Sequence, residues 1–226
     1  TINQLVVTCP IPDNSDRYYF FTNPGTSGPN EIQYSIVDAS ILGNSTVAQY
    51  PLGDVTSFNQ ATGLNDPSEA MTILESPAGD RFWLISQNRT SFEFQVTEIN
   101  GGGVGPTQTF DFTTTTIPGF EASAFAFNED SLTIAVAPRL ANRNIQVLDF
   151  DPTNGTLTFN RQILNTGFSD TGTDVIYDLE WSPDGSKLYF SRNGDGTNPG
   201  ELYQFDFTDT IQSVNNILPY SFDRSW

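Results

Sequence analysis

The loop Asn193-Gly194-Asp195-Gly196-Thr197-Asn198-Pro199-Gly200-Glu201 sets oxygen-bearing side chains at alternating positions, the arrangement by which a short loop wraps a calcium ion. Asn193, Asp195 and Glu201 are the candidate ligands. The loop lacks the bidentate glutamate of a twelve-residue calcium loop. The same residue types also make ordinary hairpin loops, so both readings stand. Asp170, Asp174, Asp178, Glu180 and Asp184 form a second acidic stretch. Two carboxylates at a suitable separation support glycoside hydrolysis. Trp83, Trp181 and Trp226 could stack on sugar rings, although Trp83 and Trp181 fall inside strand patterns, where core packing is the ordinary use.

Other chemistries are closed to this chain. It has no histidine, so it cannot assemble a Ser-His-Asp or Cys-His relay or a histidine-ligated zinc site. Cys9 is its one cysteine, which rules out an internal disulfide. Carboxylate chemistry, with or without calcium, remains. The chain carries 27 acidic residues against 9 basic ones, Lys187 being the only lysine, for a net charge of −18. Such a surface repels phosphate backbones and anionic headgroups, which predicts no nucleic-acid partner and no direct membrane insertion. It suits an extracellular or cell-surface setting, where the charge provides solubility and also attracts divalent cations.

The elements that would position these residues come from an internal repeat. Four segments share one order: an apolar strand, a tight turn, a second strand, a variable loop and an alternating third strand. Turn and second strand read Pro12-Asp13-Asn14-Ser15-Asp16-Arg17-Tyr18-Tyr19, Pro77-Ala78-Gly79-Asp80-Arg81-Phe82-Trp83, Asn128-Glu129-Asp130-Ser131-Leu132-Thr133-Ile134 and Pro183-Asp184-Gly185-Ser186-Lys187-Leu188-Tyr189. Third strands are read at Ile32–Asp38, Phe92–Glu98, Ile145–Phe150 and Leu202–Phe207. Weaker fourth strands are read near Val47–Leu52, Thr107–Phe112, Leu157–Ile163 and Ile211–Leu218. Pro, Asp, Asn and Gly supply the turn geometry, and β-branched and aromatic residues fill a pleated, half-buried surface. The repeat predicts an all-β β-propeller of four-stranded antiparallel blades with almost no helix. Its blades cover roughly 1–60, 68–117, 121–168 and 174–220, and Tyr18, Phe82, Ile134 and Leu188 take equivalent places.

The first blade, with Tyr18-Tyr19-Phe20-Phe21-Thr22 and Ile32-Gln33-Tyr34-Ser35-Ile36-Val37-Asp38, resembles a blade of large exported cell-surface proteins of Bacteroidota. The fourth is similar too, through Tyr177-Asp178-Leu179-Glu180-Trp181-Ser182-Pro183-Asp184-Gly185-Ser186-Lys187-Leu188-Tyr189-Phe190 and Leu202-Tyr203-Gln204-Phe205-Asp206. Between them, Ile145–Asp151 with Asn154-Gly155 matches a further strand and turn of that family. The resemblance implies an exported protein, associated with gliding motility and adhesion and carried by the type IX secretion system. It also implies that four blades form part of a larger ring. Bare apolar faces at both ends of an open arc would then need further blades or a partner chain.

The expected function is a non-catalytic scaffold whose loops engage a protein or glycan partner, with no catalytic residue and no resident cofactor assigned. The alternative is a carboxylate-dependent hydrolase or lyase assisted by calcium. Chelation separates the two readings of the 193–201 loop. A plain hairpin leaves the melting temperature unchanged in EDTA, whereas a drop in EDTA that Asp195→Ala abolishes assigns the metal.

Overall fold

The computed structural model describes residues 6–24, 30–47, 49–113, 121–129, 132–139, 144–163, 176–192, 200–209 and 214–222. Among them are sixteen strands and no helix. The first sheet is β1 (Val6–Ile11), β2 (Asn14–Thr22), β3 (Glu31–Asp38) and β4 (Asp54–Asn65). The second is β5 (Pro67–Glu75), β6 (Arg81–Asn88), β7 (Phe94–Asn100) and β8 (Gly103–Phe110). The third is β9 (Ala122–Asn128), β10 (Thr133–Pro138), β11 (Ile145–Asp151) and β12 (Thr156–Ile163). The fourth is β13 (Ile176–Trp181), β14 (Lys187–Arg192), β15 (Gly200–Asp206) and β16 (Val214–Phe222). Each sheet is a four-stranded meander in chain order, with antiparallel pairing in all four. This is the all-β, four-bladed propeller fold that the repeat predicts.

The blades share one register. Arg17, Arg81, Thr133 and Lys187 of the second strands lie opposite Asp38, Asn100, Asp149 and Asp206 of the third. One residue on, Tyr18, Phe82, Ile134 and Leu188 pair with Val37, Ile99, Leu148 and Phe205. The four residues expected to be equivalent therefore share one position on the second strand.

The chain falls into two compact units. One comprises Ile2–Asp111 with the turn Pro152–Thr156; the other comprises Phe112–Asp151 and Leu157–Trp226. In the first, Tyr19 and Phe21 of the first sheet pack with Phe82 and Leu84 of the second in one apolar core. In the other, Ala135 and Ala137 of the third sheet pack with Leu188 and Phe190 of the fourth. The geometry is the same in both. Phe82 and Leu188 face the preceding sheet, while Tyr19 and Ala135, one position further along, face the following one. Strand alternation puts Tyr18 and Ile134 on the face that Phe82 and Leu188 occupy, as a repeat of one blade requires.

Polar groups caught between sheets are matched. Asn23 Nδ2 donates to the Ser68 carbonyl at 2.7 Å, and Ser123 Oγ donates to Ile176 O at 3.2 Å. The indole N–H of Trp181 donates to Ala126 O at 3.1 Å, and that of Trp83 to Pro152 O at 2.7 Å. Both tryptophans are core residues, 8% and 3% exposed, which answers the sugar-stacking question for these two.

Strand bounds differ from expectation: β8 begins at Gly103 rather than Thr107 and β16 at Val214 rather than Ile211, and two further differences have a local cause. The fourth strand of the first sheet is Asp54–Asn65, not Val47–Leu52. Pro51 has no N–H to give a ladder, and the backbone around Val47 bonds locally instead. Phe92 and Glu93 precede β7 rather than opening it. Asn88 Oδ1 accepts from the N–H groups of Thr90 and Ser91, and Phe92 takes φ 62° in the resulting turn.

Gly155 sits at φ 67°, where an added Cβ would stand within 2.8 Å of three ring carbons of the buried Trp83. Gly63 also has positive φ, 84°, but open space around it. Gly63→Ala is expected to lose about 1 kcal/mol through backbone conformation alone. Gly155→Ala adds a clash with Trp83 and is expected to lose roughly 3 kcal/mol in urea unfolding. Equal losses would show that the Trp83 contact carries no weight.

Candidate interaction surface

The calcium candidates divide on structural grounds. Asn193 and Asp195 lie outside the described residues. Glu201 lies on β15, where its Oε2 accepts the Tyr203 hydroxyl at 2.5 Å. Of the acidic stretch, three residues are described. Asp170 and Asp174 lie outside the described residues, Asp178 and Glu180 are exposed on β13, and Asp184 sits in the following turn. Among the described residues, no three His, Cys, Asp or Glu side chains gather as metal ligands.

Most described carboxylates with displaced titration serve the fold. Ser182 Oγ donates to Asp184 Oδ1 at 2.6 Å, and the Ser186 N–H and Oγ donate to it at 3.1 and 2.9 Å. These bonds, the Ser182 hydroxyl first, hold the Asp184 carboxyl down at about 2. Asp80 is held down to about 2 as well, first by the Arg81 guanidinium and then by the Ser76 hydroxyl. Asp38, Asp66 and Asp206 are shifted in the same direction, chiefly by the hydroxyls of Ser40, Thr90 and Thr208. Groups held ionised in this way are turn braces, poorly suited to donate a proton at neutral pH.

Among the described residues, five basic side chains are committed to ion pairs. Arg17 meets Asp38, Arg81 meets Asp80 and Glu98, Arg89 meets Asp66, Arg139 meets Glu121, and Lys187 meets Asp206. Three of these pairs, Arg17 with Asp38, Arg81 with Glu98 and Lys187 with Asp206, run from the start of a second strand to the end of the third. In the third sheet Thr133 takes the cation's place, and Asp149 accepts from Asn160 Nδ2 at 2.7 Å instead.

Among the described residues, the surface that folding does not explain lies in the first sheet. Six of their eight exposed large hydrophobic side chains fall between residues 41 and 58. Leu42 is 43% exposed, Val47 44%, Tyr50 68%, Leu52 72% and Phe58 65%. The β3–β4 connection that carries most of them is nonetheless folded. Gly53 N–H donates to Ile41 O at 3.0 Å, Leu52 N–H to Leu42 O at 3.3 Å, and Tyr50 N–H to Val47 O at 2.9 Å. Ser45 N–H donates to Leu42 O at 3.0 Å, and Ser45 Oγ accepts from Val47 N–H at 3.2 Å. Gly43 and Gly53 take φ 55° and 78° where the two stems come closest. Asp38 braces the entry, accepting from Ser40 N–H and Oγ at 3.0 and 2.6 Å. These bonds fold the described part of the loop while Leu42, Val47, Tyr50 and Leu52 stand in water. Reading Val47–Leu52 as a strand hid this surface. The available signal was Pro51 between two apolar residues, closed off by Gly43 and Gly53.

No family model matches the chain, and no curated protein matches it. Solved structures do. A protein of unknown function from Desulfotomaculum acetoxidans aligns at TM-score 0.55 and 15% identity, over 95% of this chain and 57% of that one. The Cps50 (Swd1) β-propeller domain of Myceliophteria thermophila aligns at 0.52 and 11%, over 95% and 59%. The periplasmic gluconolactonase PpgL of Pseudomonas aeruginosa aligns at 0.51 and 16%, over 94% and 52%. The likeness establishes the propeller fold, and the chain spans little more than half the length of these structures.

The turn carboxylates give a pH dependence of known sign. The carboxyls of Asp80 and Asp184 are held down to about 2, below the ordinary 3.8, so the unfolded chain takes up protons first on acidification. Their contribution is complete above the ordinary value and is lost as the pH falls toward 2. The urea midpoint is therefore expected to fall between pH 5 and pH 2.5, and to fall less in Asp80→Asn/Asp184→Asn. An identical fall in the double variant would refute the assignment.

Proposed function

We propose that this propeller is a non-catalytic scaffold and binding module of an exported cell-surface protein, presenting loops to a protein or glycan partner. The observation that carries the reading is the β3–β4 loop, folded by its own hydrogen bonds while holding Leu42, Val47, Tyr50 and Leu52 in solvent. An apolar surface kept rigid and outside the core has the form of a recognition element. Export, a role in adhesion or gliding, and carriage by type IX secretion rest on the resemblance of the first and fourth blades to Bacteroidota surface proteins. The same resemblance, and the need of each sheet for cover on two faces, support further blades or a partner chain completing a larger ring.

A second reading, the carboxylate-dependent hydrolase, draws on the gluconolactonase among the structures of like fold. One set of measurements separates the two. Peptides selected from a displayed library on the wild-type chain are expected to lose binding to Tyr50→Ser/Leu52→Ser, with the melting temperature unchanged. Gluconolactone is expected to hydrolyse no faster than in buffer, with calcium or with EDTA. Peptides that bind the variant equally, or lactone turnover, would overturn the reading.

A further inference from the structure

We infer that the occupant of the β3–β4 loop is a protein surface in which an apolar socket is rimmed by basic side chains. This rests on the binding reading above and adds the chemistry of the partner. The apolar part is the cluster Leu42, Val47, Tyr50 and Leu52, continued by Phe58 where β4 bulges. The charged part is the base from which it rises. The loop leaves β3 at Asp38 and joins β4 at Asp54, and these two residues are register partners. Ala39 N–H donates to Asp16 O at 2.7 Å, which brings the β1–β2 hairpin end, with exposed Asp13 and Asp16, to the same place. Arg17 is the only basic residue before Arg81, and its guanidinium already stands 3.8 Å from Asp38. Within the first sheet the described rim is therefore acidic, its one cation already set against Asp38.

That combination selects among occupants. A second copy of the chain would bring an identical acidic rim, and each chain carries a charge of −18. Anionic lipid headgroups are repelled for the same reason. A glycan is held mainly on flat aromatic platforms, and this surface is mainly aliphatic, with Leu42, Val47 and Leu52 beside the rings of Tyr50 and Phe58. A basic, apolar protein surface meets both parts at once. Since the loop is already folded, little ordering is lost on binding, and the acidic rim speeds encounter and makes it salt-dependent.

Two synthetic amphipathic peptides test this, one alternating Leu with Lys and the other Leu with Glu, followed by fluorescence anisotropy at low and high salt. The Leu/Lys peptide is expected to bind the wild-type chain at low salt and to weaken as salt rises. Tyr50→Ser/Leu52→Ser is expected to weaken it roughly tenfold or more, the size of a lost apolar anchor. Leu132→Ser, an exposed apolar side chain in the other unit, should leave it unchanged. Circular dichroism and thermal melts confirm that each variant is folded. Equal, loop-dependent binding of the Leu/Glu peptide overturns the basic partner and leaves the binding surface standing. Binding of either peptide that ignores the loop variant, or no binding of the Leu/Lys peptide, overturns the proposal. Binding that ignores the loop also removes support for the surface itself.

Discussion

A four-stranded meander has two faces, and a strand alternates its side chains between them, so no such sheet can bury all its apolar residues alone. The rest of this structure answers to that constraint. Tyr19 and Phe21 reach one neighbour and Phe82 and Leu84 reach back, as Ala135 and Ala137 do toward Leu188 and Phe190. A slip of one residue in any strand would turn each set to the wrong side. The turn between first and second strands is where such slips are prevented. In the fourth sheet Ser182 Oγ receives the Lys187 N–H at 2.9 Å while donating to Asp184, so the six residues close on themselves. Gly185 at φ 66° completes the turn, and Asn128 Nδ2 of the third sheet donates to its carbonyl at 3.3 Å.

Charge plays a smaller part, and a local one. The cross-strand pairs are partly exposed, and pairs of that kind contribute at most about 1 kcal/mol each. At 3.8 Å Asp38 attracts Arg17 without giving its buried Nε a hydrogen bond. Replacement of the cation by Thr133 in the third sheet, with Asp149 turned to Asn160, shows that the fold does not need the ion pair at every repeat. The pairs do tie up most of the few cations. The net charge of −18 bears on partners more than on stability.

The sequence made the fold legible because turn chemistry and strand period agree four times over. Pro-Asp-Gly and its relatives marked the turns, and the apolar alternation after them marked the second and third strands. It was least informative where a local bond competes with the ladder. Asn88 captures two backbone N–H groups and delays β7 to Phe94. Ser45 and Pro51 convert an apolar stretch that reads as strand into a folded loop. The interaction surface was missed for that reason: hydrophobicity alone does not say whether Leu52 faces a core or water. The metal candidates Asn193 and Asp195 depend on loop geometry that spacing does not determine.

The meander also sorts its connections by task. Turns joining first to second strands and third to fourth strands lie at one end of each sheet, and the remaining connections lie at the other. At the first end the turns are mostly short, as at Pro12-Asp13 and Gly101-Gly102, because they set register. The β3–β4 connection breaks that pattern while sitting on the outer strand pair of its sheet, away from β1, which packs against β5. An insertion there disturbs neither the register of the inner strands nor the core between sheets. Asp38 and the Asp16 carbonyl hold its base, so apolar residues can be carried outward without drawing the sheet into disorder. A position that can change without cost to the core is where a scaffold can acquire a partner.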